Sequence, residues 1–204
     1  MTAAQRSYKV AIVAPTCFYY QVALFRQLAS HPRLDLNVYF CSDEALKGRD
    51  VAIMYGTRED WTIADELLEG YNSKLLRNYS PTPSYLKWPL GLINLGIWGE
   101  IKRSRPDAVV LMSWMNPTWW LAIMACLRFG IPLFYMTDAN VYREPSHPKI
   151  KRWVKQLLLG KILFRLTTSF LCSGSSNLKL YRYYGVAEDK LVHFAYSWGY
   201  WDLM

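Results

Sequence analysis

Ile131-Pro-Leu-Phe-Tyr-Met-Thr137-Asp138-Ala-Asn140 is the stretch on which the fold turns. It opens as an apolar run too short for a helix and closes in a small polar cluster with one carboxylate. In an open parallel sheet, ligands lie just beyond the carboxyl ends of the strands. A strand over 131–136 therefore places Thr137, Asp138 and Asn140 where a ligand is expected.

Working outward, the same grammar recurs. Residues 8–14 (YKVAIVA) form a nearly continuous apolar, β-branched run bounded by Pro15, as a strand covered on both faces requires. Val22, Phe25, Leu28 and Ala29 fall at helical spacing, and 34–41 alternates as a second strand. This is a βαβ unit. Residues 42–60 read as a polar excursion, and 61–68 and 73–78 as short strand-like pieces. The spacing of Leu86, Leu90, Ile93, Ile97 and Ile101 predicts a helix over 85–103. A strand over 107–113, a helix over 118–129 stopped by Gly130, and the 131–136 strand follow. Residues 141–148 read as a linker. A basic helix over 149–166, a strand over 167–172, a helix over 178–184 and a last strand over 189–194 complete the chain. The order predicts an α/β fold: a single doubly wound Rossmann-like domain with a mainly parallel sheet, spanning 1–196.

Composition bounds the function. Of 204 residues, 52% are hydrophobic and 16% aromatic, enough for a packed core and too apolar for disorder over most of the length. Cys17, Cys41, Cys126 and Cys172 are widely spaced, with no metal-ligand pattern. They read as reduced, buried thiols of a cytoplasmic protein, with one disulfide pair as the alternative. No secretory leader is expected, and the apolar 117–137 window is broken by Arg128, Gly130 and Pro132, so no spanning segment is expected. Net charge is +8, and no Asp or Glu occurs from Pro145 to Ala187, a window that holds Lys149, Lys151, Arg152, Lys155, Lys161, Arg165, Lys179 and Arg182. Such a field favours phosphates or an anionic lipid surface. Nucleic acid fits less well, because no binding motif accompanies the charge.

The loops after the strands form the candidate binding rim: Pro15, Thr16, Tyr19 and Tyr20; Trp114 and Asn116; Thr137, Asp138 and Asn140; Ser173, Gly174 and Asn177. Aromatic faces and small polar groups together suit a hydroxylated ligand, although loop polarity is common to all α/β domains. Asp138 is the only acid between Asp107 and Glu144. It can act as a general base toward a hydroxyl, or cap the following segment or pair with Arg143. Ser173-Gly-Ser-Ser-Asn177 can present backbone N–H groups to an anion, or simply cap a helix. No Walker loop, dinucleotide fingerprint or nucleophile elbow occurs. His31, His147 and His193 show no metal spacing. The basic 149–166 helix, with Lys149, Lys151, Arg152 and Lys155, reads either as a membrane-surface helix or as a core-packed helix with a solvated basic face.

Taken together, Pro15-Thr-Cys-Phe-Tyr-Tyr-Gln-Val-Ala-Leu-Phe-Arg-Gln-Leu-Ala29, Trp61…Leu67-Leu-Glu-Gly-Tyr71…Leu76-Arg-Asn-Tyr-Ser80, Arg105-Pro-Asp-Ala-Val109 and Ser173-Gly-Ser-Ser-Asn177…Tyr183-Tyr-Gly-Val186 resemble the amino-terminal half of a family 4 glycosyltransferase of the GT-B fold. The resemblance implies an acceptor-binding half facing a separate half that binds most of the nucleotide-sugar donor. It implies transfer with retention to a lipid-linked or polysaccharide acceptor, no bound metal or other cofactor, and work at the cytoplasmic face of the inner membrane. The chain has no Glu-x7-Glu pair, so the donor-binding half is expected to come from elsewhere, in cis or in trans. Residues 197–204 then open the interdomain linker, and this chain alone is expected not to turn over; the alternative reading is a non-catalytic peripheral membrane module of α/β fold that binds anionic lipid. The histidine that the family often carries after the strand corresponding to Ile131–Met136 is replaced by Thr137-Asp138, which makes Asp138 the candidate catalytic residue.

Overall fold

The computed structural model describes residues 6–47, 64–139 and 155–194, with Ile150 and Trp153. The chain divides into two compact units, whose described parts run to Ile131 and from Pro132. In the first, β1 (Tyr8–Ala14), α1 (Tyr19–Ser30), β2 (Leu34–Phe40), α2 (Ala64–Leu68), β3 (Asn72–Leu75), α3 (Gly96–Ser104), β4 (Ala108–Leu111) and α4 (Pro117–Phe129) follow in order. Its strands lie parallel in the order β3-β2-β1-β4. In the second, β5 (Leu133–Met136), a π-helical segment (Gln156–Leu163), α5 (Phe164–Leu166), β6 (Ser169–Cys172), α6 (Ser175–Tyr183), a short 3-10 turn (Glu188–Lys190) and β7 (Leu191–His193) follow. Its strands are parallel in the order β5-β6-β7. The α/β, Rossmann-like character expected from the sequence is the one observed.

β1 is the centre of the first unit. Ala11, Ile12, Val13 and Ala14 are all buried, as expected for a strand flanked by neighbours and covered on both faces. Its register sets Ala14 opposite Phe40 of β2, and Val13 opposite Leu111 of β4. Phe40 in turn faces Leu75 of β3. The four strands thus end at one level, and the loops after them emerge together. Phe25, Phe40, Ile97, Ile101, Trp119 and Ile123 fill the space beneath. The second unit is smaller and leans on aromatic rings: Tyr135, Phe164, Phe170 and Tyr181 meet pairwise, at centroid separations from 4.8 to 6.2 Å. Such pairs add about 0.5–1.5 kcal/mol each beyond the area they bury.

Three elements differ from the sequence expectation, each for a visible reason. The predicted 85–103 helix is confined to α3, because Pro89 removes a backbone donor and Gly91 sits against other backbone. A Cβ on Gly91 would lie 2.0 Å from the Ser84 carbonyl oxygen. Leu86 and Leu90, two members of the supposed apolar stripe, are exposed. The described part of 61–68 is helical rather than strand-like. The Arg26 guanidinium donates to the Glu66 and Glu69 carbonyls at 2.6 and 3.1 Å, and the Tyr71 hydroxyl to Leu67 O at 2.6 Å, so the end of α2 is satisfied by side chains. The basic segment is helical as expected, but over Gln156–Leu163 it takes the wider π turn. There Gly160 lies close to the Tyr184 carbonyl, at 3.3 Å from where a Cβ would stand. The 141–148 linker lies outside the described residues.

What replaces the missing helix turns between residues 76 and 95 is a buried amide network. Asn94 is fully buried, and its Nδ2 reaches the carbonyls of Cys41 (2.9 Å), Leu76 (3.1 Å) and Arg77 (3.2 Å). The Thr118 hydroxyl accepts from Asn94 N at 2.9 Å, and shares its single proton between Leu92 O at 3.0 Å and Asn94 Oδ1 at 2.8 Å. Asn78 Oδ1 accepts from Ile93 N at 2.9 Å, and Asn116 Oδ1 from Leu92 N at 3.2 Å. Three side-chain amides thus do for this segment what a helix ladder would have done. Asn94→Ala strands several buried carbonyls and should cost about 3 kcal/mol. Urea denaturation measures it, and Asn94→Asp should be nearly as damaging because its oxygens cannot donate.

Candidate functional site

The loops at the carboxyl ends of β1 to β4 form the rim of the first unit. Thr16 is fully buried, and its Oγ1 accepts from Ala45 N at 3.1 Å, tying the β1 loop to the β2 loop. Pro15 beside it is half-buried. Tyr19 and Tyr20, expected in the loop, instead open α1. Phe18 stacks on Tyr20 at 5.3 Å and meets Tyr85 edge-on at 5.4 Å, which builds a half-buried aromatic wall. Trp114 is half-buried, whereas Asn116 is 2% exposed and spends its side chain on Leu92 N. Of the sequence-selected residues here, the aromatics and Pro15 face the rim, while Thr16 and Asn116 hold it up from beneath.

Between the ends of β2 and β3 lies a cleft of about 430 Å³, lined by Ser42, Asp43, Glu44, Arg77, Asn78 and Pro83 among others. Asp43 pairs with Lys47 at 2.7 Å. Glu44 Oε2 accepts from Tyr85 N at 2.8 Å and from the Ser42 hydroxyl at 3.3 Å. The Arg77 guanidinium lies over the Tyr79 ring at 4.9 Å. The volume is that of a small-ligand site, and the wall mixes carboxylates, a guanidinium and an amide. The sequence reading missed these residues by treating 42–60 as an excursion. The signal was present: Cys41-Ser-Asp-Glu44 directly follows a strand's carboxyl end, as the chosen loops do.

In the second unit, Thr137 is half-buried and its Oγ1 accepts from Ala139 N at 3.3 Å. Asp138 is exposed at the end of β5. Asn177 is 4% exposed; its Nδ2 donates to Ala139 O at 2.9 Å and its Oδ1 accepts from Ser173 N at 3.3 Å. One buried amide therefore joins the loop carrying Thr137 and Asp138 to the Ser173-Gly174 loop. Helix α6 begins at Ser175, so the expected serine-rich loop is shortened to Ser173 and Gly174. Asn140, Lys149, Lys151 and Arg152 lie outside the described residues. Lys155 is half-buried, while Ile150, Trp153, Leu157, Ile162 and Leu166 around it expose apolar surface.

Among the described residues, no group of three or more His, Cys, Asp or Glu is placed to hold a metal, and no helix is long and apolar enough to cross a membrane. All four cysteines are free and buried. Burial pushes the Cys17 thiol up to about 11, only partly offset by its hydrogen bond with Tyr71 and the charge of Arg26. Burial pushes Cys126 up to about 12, and raises Cys41, Cys172, Tyr71 and Tyr135 as well. A raised folded-state value means that the unfolded chain releases protons first. The stabilisation is complete below the ordinary thiol value of 9.0 and is lost as pH climbs through the folded value near 11 for Cys17. The urea midpoint should fall steadily between those two pH values, and iodoacetamide near neutral pH should leave the native thiols unmodified.

No family model matches this sequence, and no curated protein matches it. Solved structures do match in fold. A UDP-N-acetylglucosamine 2-epimerase superposes with a TM-score of 0.55 at 12% identity, over 91% of this chain and 47% of its own. HepE of Anabaena, solved in complex with UDP-glucose, gives 0.56 at 10% identity, over 91% of this chain and 43% of its own. The HepE complex with UDP and glucose gives 0.55 at 11% identity over the same shares. At this identity the likeness is one of fold, and the fold is GT-B-like. The chain spans less than half the length of these structures.

Proposed function

We propose that this chain is the acceptor-side, amino-terminal half of a GT-B glycosyltransferase of the family 4 kind. It transfers a sugar from a nucleotide-sugar to a lipid-linked or polysaccharide acceptor once a donor-binding half completes the cleft. The observation that carries the reading is the cleft at the ends of β2 and β3. Asp43 and Glu44 put carboxylate oxygens on its wall, and Arg77 and Asn78 put donors there, a mixture that suits sugar hydroxyls. The HepE structures with UDP and with UDP-glucose support a sugar-related role for the fold.

In the reaction the acceptor hydroxyl oxygen bonds to the anomeric carbon, the bond from that carbon to the donor phosphate oxygen breaks, and the hydroxyl proton leaves to a base. Asp138, an exposed carboxylate at the end of β5, is the candidate base. In the first unit Tyr20 and Trp114 offer aromatic faces to an acceptor. The nucleotide-sugar is a substrate held mostly by the other half, and no metal or organic cofactor enters the scheme.

A peripheral position on the cytoplasmic face of the inner membrane belongs to the same proposal. Ile150, Trp153, Leu157, Ile162 and Leu166 expose apolar surface within the window from Pro145 to Ala187, which has no acid. Basic and apolar side chains on one segment are what an anionic bilayer surface takes up.

The chain by itself should show no transfer from UDP-glucose or UDP-N-acetylglucosamine, because half the positioning is missing. Transfer should appear when a donor-binding half is supplied, and Asp138→Asn should then lower kcat by about 100-fold. Asp43→Asn should weaken acceptor-glycan binding about tenfold, the loss of one charged hydrogen bond. Calorimetric binding of UDP to the chain alone with a Kd below about 10 μM would reassign it to the donor side.

A further inference from the structure

We propose that the loop over residues 84–91 is a membrane wedge, which seats the run Leu86-Lys-Trp-Pro-Leu90 in the headgroup and upper acyl region of an anionic bilayer. It deepens the peripheral-membrane part of the proposed function by adding a second contact on a different segment, and it does not depend on the transfer reaction.

All five residues of the run are exposed, with Leu86 at 56%, Trp88 at 59% and Leu90 at 50%. Three large apolar side chains in five consecutive exposed positions are unusual for a surface that meets only water. Leu95, a few residues on, is 55% exposed as well.

The loop is held rather than loose. Its two ends are joined by Ser84 N donating to Gly91 O at 3.1 Å, and a turn inside it is closed by Gly91 N donating to Lys87 O at 2.9 Å. Asn78 Nδ2 donates to Gly91 O at 2.9 Å, and the Tyr85 amide is fixed by Glu44 Oε2 at 2.8 Å. Gly91 admits no side chain without striking the Ser84 and Lys87 carbonyls. Every one of these bonds lies at the base or within the backbone, so none consumes the apolar tip. A tip ordered before contact loses little entropy on insertion, which favours a wedge over a disordered hydrophobic patch.

Charge selects the occupant. From Tyr71 to Gly99 the chain holds Lys74, Arg77 and Lys87 and no Asp or Glu. Lys87 sits inside the apolar run, where its stem can lie along the acyl boundary while its ammonium meets lipid phosphate. Trp88 is of the residue type that settles at that boundary, with its ring among the carbonyls and chains. A cationic apolar tip with no carboxylate in its own segment matches phosphatidylglycerol better than a neutral protein surface.

The test uses the full chain with vesicles of phosphatidylglycerol and phosphatidylcholine. The four native thiols are buried, so Trp88→Cys can be labelled selectively with an environment-sensitive fluorophore. The label should shift to the blue on anionic vesicles and be quenched by lipids brominated high in the acyl chain. The triple variant Leu86→Ser, Trp88→Ser, Leu90→Ser should keep the native circular dichroism and lose about tenfold in vesicle partition. Part of the wild-type binding should persist at about 0.5 M salt, where charge alone is screened. Undiminished partition by the triple variant, or water-like emission from a labelled chain that still sediments with vesicles, overturns the wedge and leaves the basic helix as the contact. A triple variant that dissociates a wild-type dimer without changing partition overturns it in favour of self-association. Failure of the wild type to bind any vesicle removes both the wedge and the peripheral position, while the transfer assays still decide the enzymatic reading separately.

Discussion

The Asn94 side chain is the constraint on which the first unit depends. Segment 76–95 has no secondary structure of its own, and its two ends, at Leu76 and at Gly91, Leu92 and Asn94, are buried. A buried carbonyl without a donor is costly, and the segment has several. Asn94 meets three of them with one amide and returns its oxygen to Thr118, which in turn fixes the start of α4. Asn78 and Asn116 extend the same solution to Ile93 and Leu92. Remove this arrangement and the wall of the β2–β3 cleft loses its backing.

The cleft and the exposed loop are therefore two outputs of one scaffold. Asn78 lines the cleft and, through Gly91 O, also holds the base of the 84–91 loop. Glu44 lines the cleft and fixes Tyr85 N on the other side of that base. In the second unit Asn177 plays a comparable part on a smaller scale, where one amide spans the β5 and β6 loops and sets the height of Thr137 and Asp138.

Much of this was legible in the sequence, and the failures share a cause. The apolar runs at 8–14 and 131–136, and the helix stopped by Gly130, were readable because burial on both faces and a left-handed cap leave marks in residue type. Gly130 indeed takes φ 68° at the end of α4. The first turn of α1 is hidden in the sequence, since Tyr19 and Tyr20 look like loop aromatics although they open the helix. The 85–95 stretch deceived because Leu86, Leu90 and Ile93 happen to fall at helical spacing. What decides there is a set of side chain–backbone bonds: Asn78 and Asn116 reach in from other segments, and Asn94 reaches out to the carbonyls of Cys41, Leu76 and Arg77. The cleft was missed for a related reason. Asp43 and Glu44 look like ordinary solvated charges until β3 comes to lie beside β2.

The sealed cysteines carry one more consequence. Cys17, Cys41 and Cys126 lie in the first unit and Cys172 in the second, all under cover and all protonated at ordinary pH. A thiol in that state reacts only when its surroundings open. Its rate of modification is then a clock for local opening, with readings from each unit. The chain thus comes with its own probes of motion, and comparing the two clocks with and without ligand would show which unit breathes when the cleft is filled.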